Sequence, residues 1–484
     1  MESAQAAQSS CPQTARPERG GGRSFLRKKP SATRFPFVGS DKPIYAVDSI
    51  SPNLLHCLME VHSPLDVSLL TRAVHLTLSQ TPILKSVARL RWFAPFWEVL
   101  DDLTPHPILT VRDLTQEAGA EGAAADITER FINEYIDVTQ SPPVRFLLGR
   151  LSAGRWLFVA KAHHCLLDVA AFLYMIEDVR TFYQKLLRGE PLPPAREMGG
   201  RDRGLLFRRV SLSLWGHAVL MAARRKISGP RLRRKVFVRF SQPGGAAAIA
   251  HRSVHFAGKE YTSFRARCKS LGVTANELLL AALCRTIYKW NGSGDPPEGF
   301  YSITMPVDLR RYARHKGTVP RIMSNFVGNA GVSVPVRAVK TLEDAVAWVV
   351  HETRFIKDHH VVLLRNLSLL WSAFVPPRWL RWAMQKRYER RPDQFVPTAI
   401  VSNAGRVDRI LLPSADFAIH RIEGVGRAFS PAGLVVVALS YLRQQTITVT
   451  YRKDVCPEKE IDGFVELFAE ELLPGYRASR DGAG

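Results

Sequence analysis

Residues 159 to 172 read VAKAHHCLLDVAAF, in which two adjacent histidines and a carboxylate follow a short apolar run. Side chains of a strand alternate between its faces, so His163 and His164 at a strand end point to opposite sides. One imidazole can then sit in packing while the other faces a cleft. A neutral imidazole, with an ordinary pKa near ~6.5, can take the proton of a hydroxyl or amine as that group attacks a thioester carbonyl. Its second ring nitrogen needs a partner to fix the tautomer, and Asp168 can brace the turn by pairing with an arginine. The dipeptide by itself is equally compatible with chance among fourteen histidines.

The elements around the pair are legible. Val144–Leu151 and Trp156–Ala162 read as strands that lead into it, and a helix runs from Asp168 to a Gly189 stop. Upstream, Ser51–Val61 is a strand, and Leu65, Leu69, Leu70, Val74 and Leu78 recur at helical spacing behind Asp66. Phe96–Leu100 is a further strand. Downstream come a strand (Arg252–Phe256), a helix (Lys259–Leu271) and a second helix opened by a Thr274/Glu277 capping box. Strands at Tyr301–Val307, Phe326–Val336 and Thr398–Ser402, a helix over Trp348–Lys357, a hairpin (Leu434–Tyr441 with Thr446–Tyr451) and a helix over Lys459–Leu473 complete the pattern. Both halves mix strands with long helices, and a polar, basic stretch separates them, which predicts two α/β lobes. The expected layout is a disordered basic tail (1–34), an N-terminal lobe (35–195), a basic apolar bridge (196–250), a C-terminal lobe (251–475) and a tail (476–484).

Several segments, taken in order, carry a resemblance. His163-His164-x-x-x-Asp168 resembles the HHxxxDG motif of the superfamily of condensation domains and CoA-dependent acyltransferases, which includes chloramphenicol acetyltransferase and wax ester synthases. PLDVSLLTRAVHLTLSQTPIL is similar to that family's first long helix, and PPVRFLLGRL to its strand before the motif. FYQKLLRGEPLPP, GVTANELLLAAL, MPVDLRR and NFVGNAGVSVPV match later segments, and SNAGRVD resembles a variant of the acyltransferase branches. The resemblance covers roughly 45–190 and 250–475.

It implies an α/β fold of two chloramphenicol-acetyltransferase-like lobes, a pseudo-dimer with the active-site tunnel between them. It implies His164 as general base, His163 as mainly structural, and Asp168 as a loop brace paired with Arg310. Asn325, Asn329, Ser402 and Asn403 would line the tunnel. The implied reaction moves an acyl group from acyl-CoA or an acyl carrier protein to a hydroxyl acceptor, with no metal, no cofactor and no acyl-enzyme. The other implied readings are a catalytically inactive binder of lipid or carrier protein and an amide-forming condensation enzyme. The family glycine after the aspartate is Val169 here, which predicts an altered or strained loop. Gln80 and Lys85 stand where the family shows arginines. With no adenylation or carrier segment attached, a peptide-synthetase module is the less expected context.

Charge adds location. The net charge is +23, concentrated in 1–34, in 196–239 with thirteen Lys/Arg against two acids, and in 376–391 with six against one. Such clusters imply an anionic ligand or surface. They interleave with apolar and tryptophan-rich runs (FRRVSLSLWGHAVLMAARRK and LLRNLSLLWSAFVPPRWLRWAMQKRYERR), which suits an anionic membrane face better than nucleic acid, for which no recognition motif is present. Six dispersed cysteines without a Cys-x-x-Cys pair fit a reducing compartment, and the absence of a long apolar run predicts a cytoplasmic protein, peripheral at most.

Overall fold

The computed structural model describes residues 33–476 apart from 118, 195–200, 202–203, 229–233, 242–246, 293–297, 314–318 and 365–370. Of the expected tails, 1–34 and 476–484, residues 1–32 and 477–484 lie outside the described residues, and Arg34 opens a strand. The chain begins with β1 (Arg34–Pro36), α1 (Asp41–Val47), β2 (Leu54–His62), α2 (Val67–Gln80), β3 (Ser86–Arg89), β4 (Phe96–Val99), β5 (Leu109–Asp113), α3 (Ala120–Asn133), β6 (Val144–Ser152), β7 (Arg155–His163) and α4 (Val169–Leu187). Then follow α5 (Gly204–Arg209), α6 (Leu212–Ser228) and β8 (Arg234–Lys235). The second half comprises β9 (Ile249–Phe256), α7 (Gly258–Ser270), α8 (Ala275–Trp290), β10 (Gly299–Asp308), β11 (Val327–Pro335), α9 (Leu342–Asp358), α10 (Pro377–Arg390), α11 (Pro392–Phe395), β12 (Ala399–Arg406), β13 (Ile419–Val425), β14 (Leu434–Tyr441), β15 (Gln444–Arg452) and α12 (Glu458–Leu472).

Local chemistry explains the boundaries. Asp66 Oδ1 accepts the Leu69 N–H at 2.9 Å and so starts α2, whose Leu70, Val74 and Leu78 are completely buried. The Thr274/Glu277 capping box opens α8. Helix α9 begins six residues before the expected Trp348, because Thr341 Oγ1 caps it by accepting the Asp344 N–H at 3.1 Å. Leu442 and Arg443 turn the β14–β15 hairpin with positive φ (45° and 62°).

Among the described residues the strands form three sheets. The first has the order β13-β2-β7-β6-β5, the second β11-β10-β12-β14-β15-β9 with β8 added beside β10, and a small third sheet has the order β1-β4-β3. Strand β7 is held on both sides, antiparallel to β2 and β6, so its end is fixed in register: Leu54 lies opposite His163. Strand β13 comes from the second half yet closes the edge of the first sheet against β2, with Glu423 opposite Leu58. The chain then returns to the second sheet at β14, so the lobes are tied together by the backbone itself. Glu423 strengthens that tie by accepting from Ser253 Oγ on β9 at 2.6 Å and lying 3.3 Å from His255. Helices α2 and α4 cover the first sheet's core, and α8, α9 and α12 that of the second.

One expectation about the bridge is corrected. Trp215 on α6 is not at a lipid boundary; it is buried with Leu206, Val210, Leu309 and Phe326 in a small apolar cluster. Arg225 on the same helix pairs with Glu352 of α9. Helix α6 is therefore half-buried against the second lobe, and its outer face carries Leu212, Val219 and Leu220 as well as Arg224 and Lys226. Among the described residues no helix is long and apolar enough to cross a membrane.

Candidate active site

Strand β7 ends at His163, and the two histidines diverge as strand alternation requires. His163 is completely buried. Its Nδ1 accepts the Cys165 N–H at 3.3 Å, and its Nε2 lies 3.3 Å from Asp48 Oδ1, at an angle too poor for a full hydrogen bond. Asp48 also accepts the Asn53 N–H (2.6 Å) and the Tyr135 O–H (2.5 Å). Burial works to raise the pKa of Asp48, but His163, Tyr135 and Asn53 together outweigh it and the net shift is downward. An ionised carboxylate thus anchors the buried side of the pair.

His164 faces the other way and keeps partial exposure. Its backbone N–H donates to the Asn53 carbonyl at 2.8 Å. Its Nδ1 lies 2.7 Å from the Leu167 carbonyl oxygen, which can only accept. Nδ1 must therefore carry the proton, and Nε2 is left with a free lone pair. Asn325 Nδ2 donates to the His164 carbonyl at 2.9 Å and packs 3.1 Å from Nδ1, closing that edge of the ring. Burial pushes the His164 pKa below the ordinary histidine value; the Leu167 bond and Asp168 oppose this, while His163 and Arg427 add to it. The ring is therefore neutral at neutral pH.

Asp168 is completely buried and faces away from the imidazole. Its Oδ1 caps α4 through the Ala171 N–H (2.9 Å) and accepts Arg310 Nη2 (3.0 Å), while Oδ2 accepts Arg310 Nη1 (2.7 Å) and the Phe326 N–H (2.7 Å). Arg310, equally buried, also donates to the Ile322 and Ser324 carbonyls, each at 2.9 Å, and to Asp308 at 3.1 Å. This fork joins α4 of the first lobe to the 308–326 segment of the second. Lys85 makes no ion pair with Asp168 among the described residues, and Gln80 donates to the Pro193 carbonyl. The strain predicted at Val169 is absent. Asp168 is extended and does the capping, so Val169 is the first helical residue and has no positive φ.

The remaining expected residues divide. Asn325 is buried against His164, whereas Asn329 is exposed on β11. Asn403 accepts the Gly405 N–H at a bulge of β12, with Ser402 beside it. Among the described residues Asn329, Ser402 and Asn403 have no hydrogen bond to His164, Asp168 or Arg310. Cys165 is completely buried and burial pushes its thiol pKa up, so no thiolate nucleophile is available there. Sequence reasoning missed Asp48 and Tyr135, which reach His163 only through long-range pairing, and Arg427, which bonds to the neighbouring Val47 carbonyl. The short run YAVDS around Asp48 offers no local signal.

Comparisons with known proteins bear on the fold. The family model described as "Condensation domain" matches residues 51–198. The uncharacterized protein Rv2305 of Mycobacterium tuberculosis is 26% identical over 324 residues, 65% of this chain and 68% of that protein. Enterobactin synthase component F of Shigella flexneri is 26% identical over 167 residues, 33% of this chain and 13% of that much longer protein. The crystal structure of the first condensation domain of the CDA synthetase superposes with a TM-score of 0.67 at 16% identity, covering 92% of this chain and 97% of that one. The chain has the condensation-domain fold, two chloramphenicol-acetyltransferase-like lobes with a central tunnel.

These findings overturn the expected acyl transfer from CoA to a hydroxyl acceptor, and with it the label of an O-acyltransferase of lipid metabolism. The family model that matches is the condensation domain, which favours the amide-forming alternative over that reading. The physical reason for the misreading is that a histidine base accepts a proton from either nucleophile, so the motif does not name the acceptor. The arginine-bracketed helix that suggested a lipid-like acceptor holds its tryptophan in the core. The wax ester synthase and other CoA-dependent branches are likewise not supported.

Proposed function

We propose that this chain forms an amide by joining an acyl group, presented as a carrier-protein thioester, to an amine acceptor. His164 Nε2 takes a proton from the amine as its nitrogen attacks the thioester carbonyl. The new C–N bond forms, the C–S bond breaks, and the proton passes on to the departing thiolate. The Asp168–Arg310 fork and the Asp48 anchor act on the histidine's position, not on the reacting atoms. The observation that carries this reading is the 2.7 Å contact between His164 Nδ1 and the Leu167 carbonyl, which favours the tautomer whose Nε2 lone pair is free.

The test uses an acyl N-acetylcysteamine thioester and the same acyl group on a phosphopantetheinylated carrier, each with a panel of amines. Free thiol and amide mass are followed together. Amide appearing in step with thiol is the expected result; thiol release by hydrolysis alone, or no release from either donor, would overturn the reading.

We also propose that the enzyme works against an anionic bilayer surface. Trp92, Phe93, Phe374, Trp379 and Trp382 are all more than half exposed, and Trp92 meets Trp379 edge-on with ring centroids 6.4 Å apart. Lys42 Nζ clasps the two segments that carry them, donating to the Phe93, Ser372 and Val375 carbonyls. Arg91, Arg378, Arg387 and Arg390 are exposed on the same two stretches of chain, and exposed aromatics with cationic neighbours suit lipid headgroups. Co-sedimentation with phosphatidylglycerol vesicles at low salt should fall severalfold in the W379A/W382A variant. Equal recovery with neutral and anionic vesicles would sink this location.

A further inference from the structure

Arg427 follows β13 and is only 8% exposed. Its Nη2 donates to the Val47 carbonyl at 2.7 Å, and its guanidinium lies 4.1 Å above the Phe429 ring. Its Nε is buried with no partner, and no carboxylate lies within ion-pair distance among the described residues. Asp48, next to Val47, is occupied by Asn53, Tyr135 and His163. A buried charge left without a counter-ion is costly unless something arrives to pair with it. The bland reading, an arginine that caps the carbonyl end of α1, accounts for one of its five donors.

Its position is informative. Segment 47–53 is bonded on one side to Arg427, through Val47, and to the Ala428 carbonyl, through Ser51 Oγ at 3.1 Å. On its other side the same segment holds His163, through Asp48, and the His164 backbone, through Asn53. The guanidinium is thus joined to the histidine pair through segment 47–53, and its charge acts with burial to lower the His164 pKa. Burial lowers the arginine's own pKa to about 9, against the opposing pull of Asp48, so it is still a cation at neutral pH.

We infer that Arg427 is an anion-binding site beside His164 and that the anion it takes is the carboxylate of the amine acceptor. This rests on the amide-forming reading and sharpens it. A carrier-bound amino acid has spent its carboxyl group in a neutral thioester and offers Arg427 nothing to pair with. A free amino acid offers a carboxylate within a few bonds of the nitrogen that His164 must deprotonate. The acceptor class is thus a free, carboxylate-bearing amine, and the product is an N-acyl amino acid that keeps its carboxylate. The C–N bond forms, the C–S bond breaks and the thiol leaves as before, with the carboxylate untouched.

The experiment compares free amino acids with their primary amides as acceptors for one acyl thioester. Wild type should favour the free acid by about 10- to 100-fold in kcat/KM, the scale of one charge-assisted hydrogen-bonded pair. Arg427→Gln should bring that ratio close to one, and Arg427→Lys should restore part of it. Binding is read separately by calorimetry with propionate, propionamide and inorganic phosphate: only propionate should bind, and only when Arg427 is present. Phosphate binding in place of propionate would assign the site to the donor's pantetheine arm and overturn the proposal. A wild type that makes amides without preferring the free acid would overturn it while leaving the amide-forming function intact. No amide from any acceptor removes the function and the proposal together. Thermal melting decides against a merely structural role: Arg427→Met should melt near wild type, and a fall as large as that from Arg310→Met would overturn the assignment.

Discussion

Arg310→Met is expected to cost about 3–5 kcal/mol of stability, the range for removing one partner of a buried ion pair. Arg310 and Asp168 are both completely buried, and two of the four hydrogen bonds that Asp168 accepts come from this arginine. Without them the carboxylate keeps the Phe326 and Ala171 N–H groups but loses its counter-ion. The Ile322 and Ser324 carbonyls lose their donor in the same step. The loss should be read as a lowered urea midpoint with an unchanged slope. A double variant, Arg310→Met with Asp168→Asn, should recover part of it, because it removes the stranded charge that makes the single variant costly. A single-variant loss below about 1 kcal/mol would mean that solvent reaches the pair, and the fork would then not be the strut between lobes that its geometry describes.

What could be read from the sequence divides by range. The strand β7, the helix after Asp168, the capping box of α8 and the β14–β15 hairpin rest on neighbours a few residues away, and their signals are local. Arg310 was reachable as a partner of Asp168 only through the resemblance, since 142 residues separate them. Nothing local announces that β13 leaves the second half to close the first sheet, or that Arg427 then lands beside Val47, because edge-strand pairing is decided by which sheet lacks a partner. Trp215 shows a different limit. An apolar helix bracketed by arginines has the same composition whether its tryptophan meets lipid or core, and only tertiary packing separates the two. At Val169 the family pattern suggested a glycine-like turn, but the aspartate itself starts the helix, and a β-branched residue at the first helical position is sterically ordinary.

His164→Ala is expected to lower kcat/KM by about 10²- to 10⁴-fold, the usual contribution of a positioned general base. Stability should change far less, because the ring keeps partial exposure and its shortest polar contact is one hydrogen bond to the Leu167 carbonyl. The pH profile supplies the second readout. A base works only while unprotonated, so activity falls as pH drops through its pKa. Burial holds the His164 pKa below the ordinary value, so the neutral form survives further into acid than free histidine does. The acid limb of the kcat/KM profile should therefore lie below about 6.5 in the wild type and vanish in the variant's residual activity. The same shift has a stability consequence of fixed sign. Between the folded pKa and about 6.5 the unfolded chain binds a proton that the folded chain refuses, so stability contributed at neutral pH is lost as pH falls through that window. His164→Ala should flatten that part of the acid-unfolding curve. An acid limb above about 6.5 would mean that the imidazolium is the favoured form in the folded protein. Only the opposite slope, activity rising as the ring gains its proton, would make it a cationic stabiliser of the departing thiolate and leave the amine to lose its proton to water.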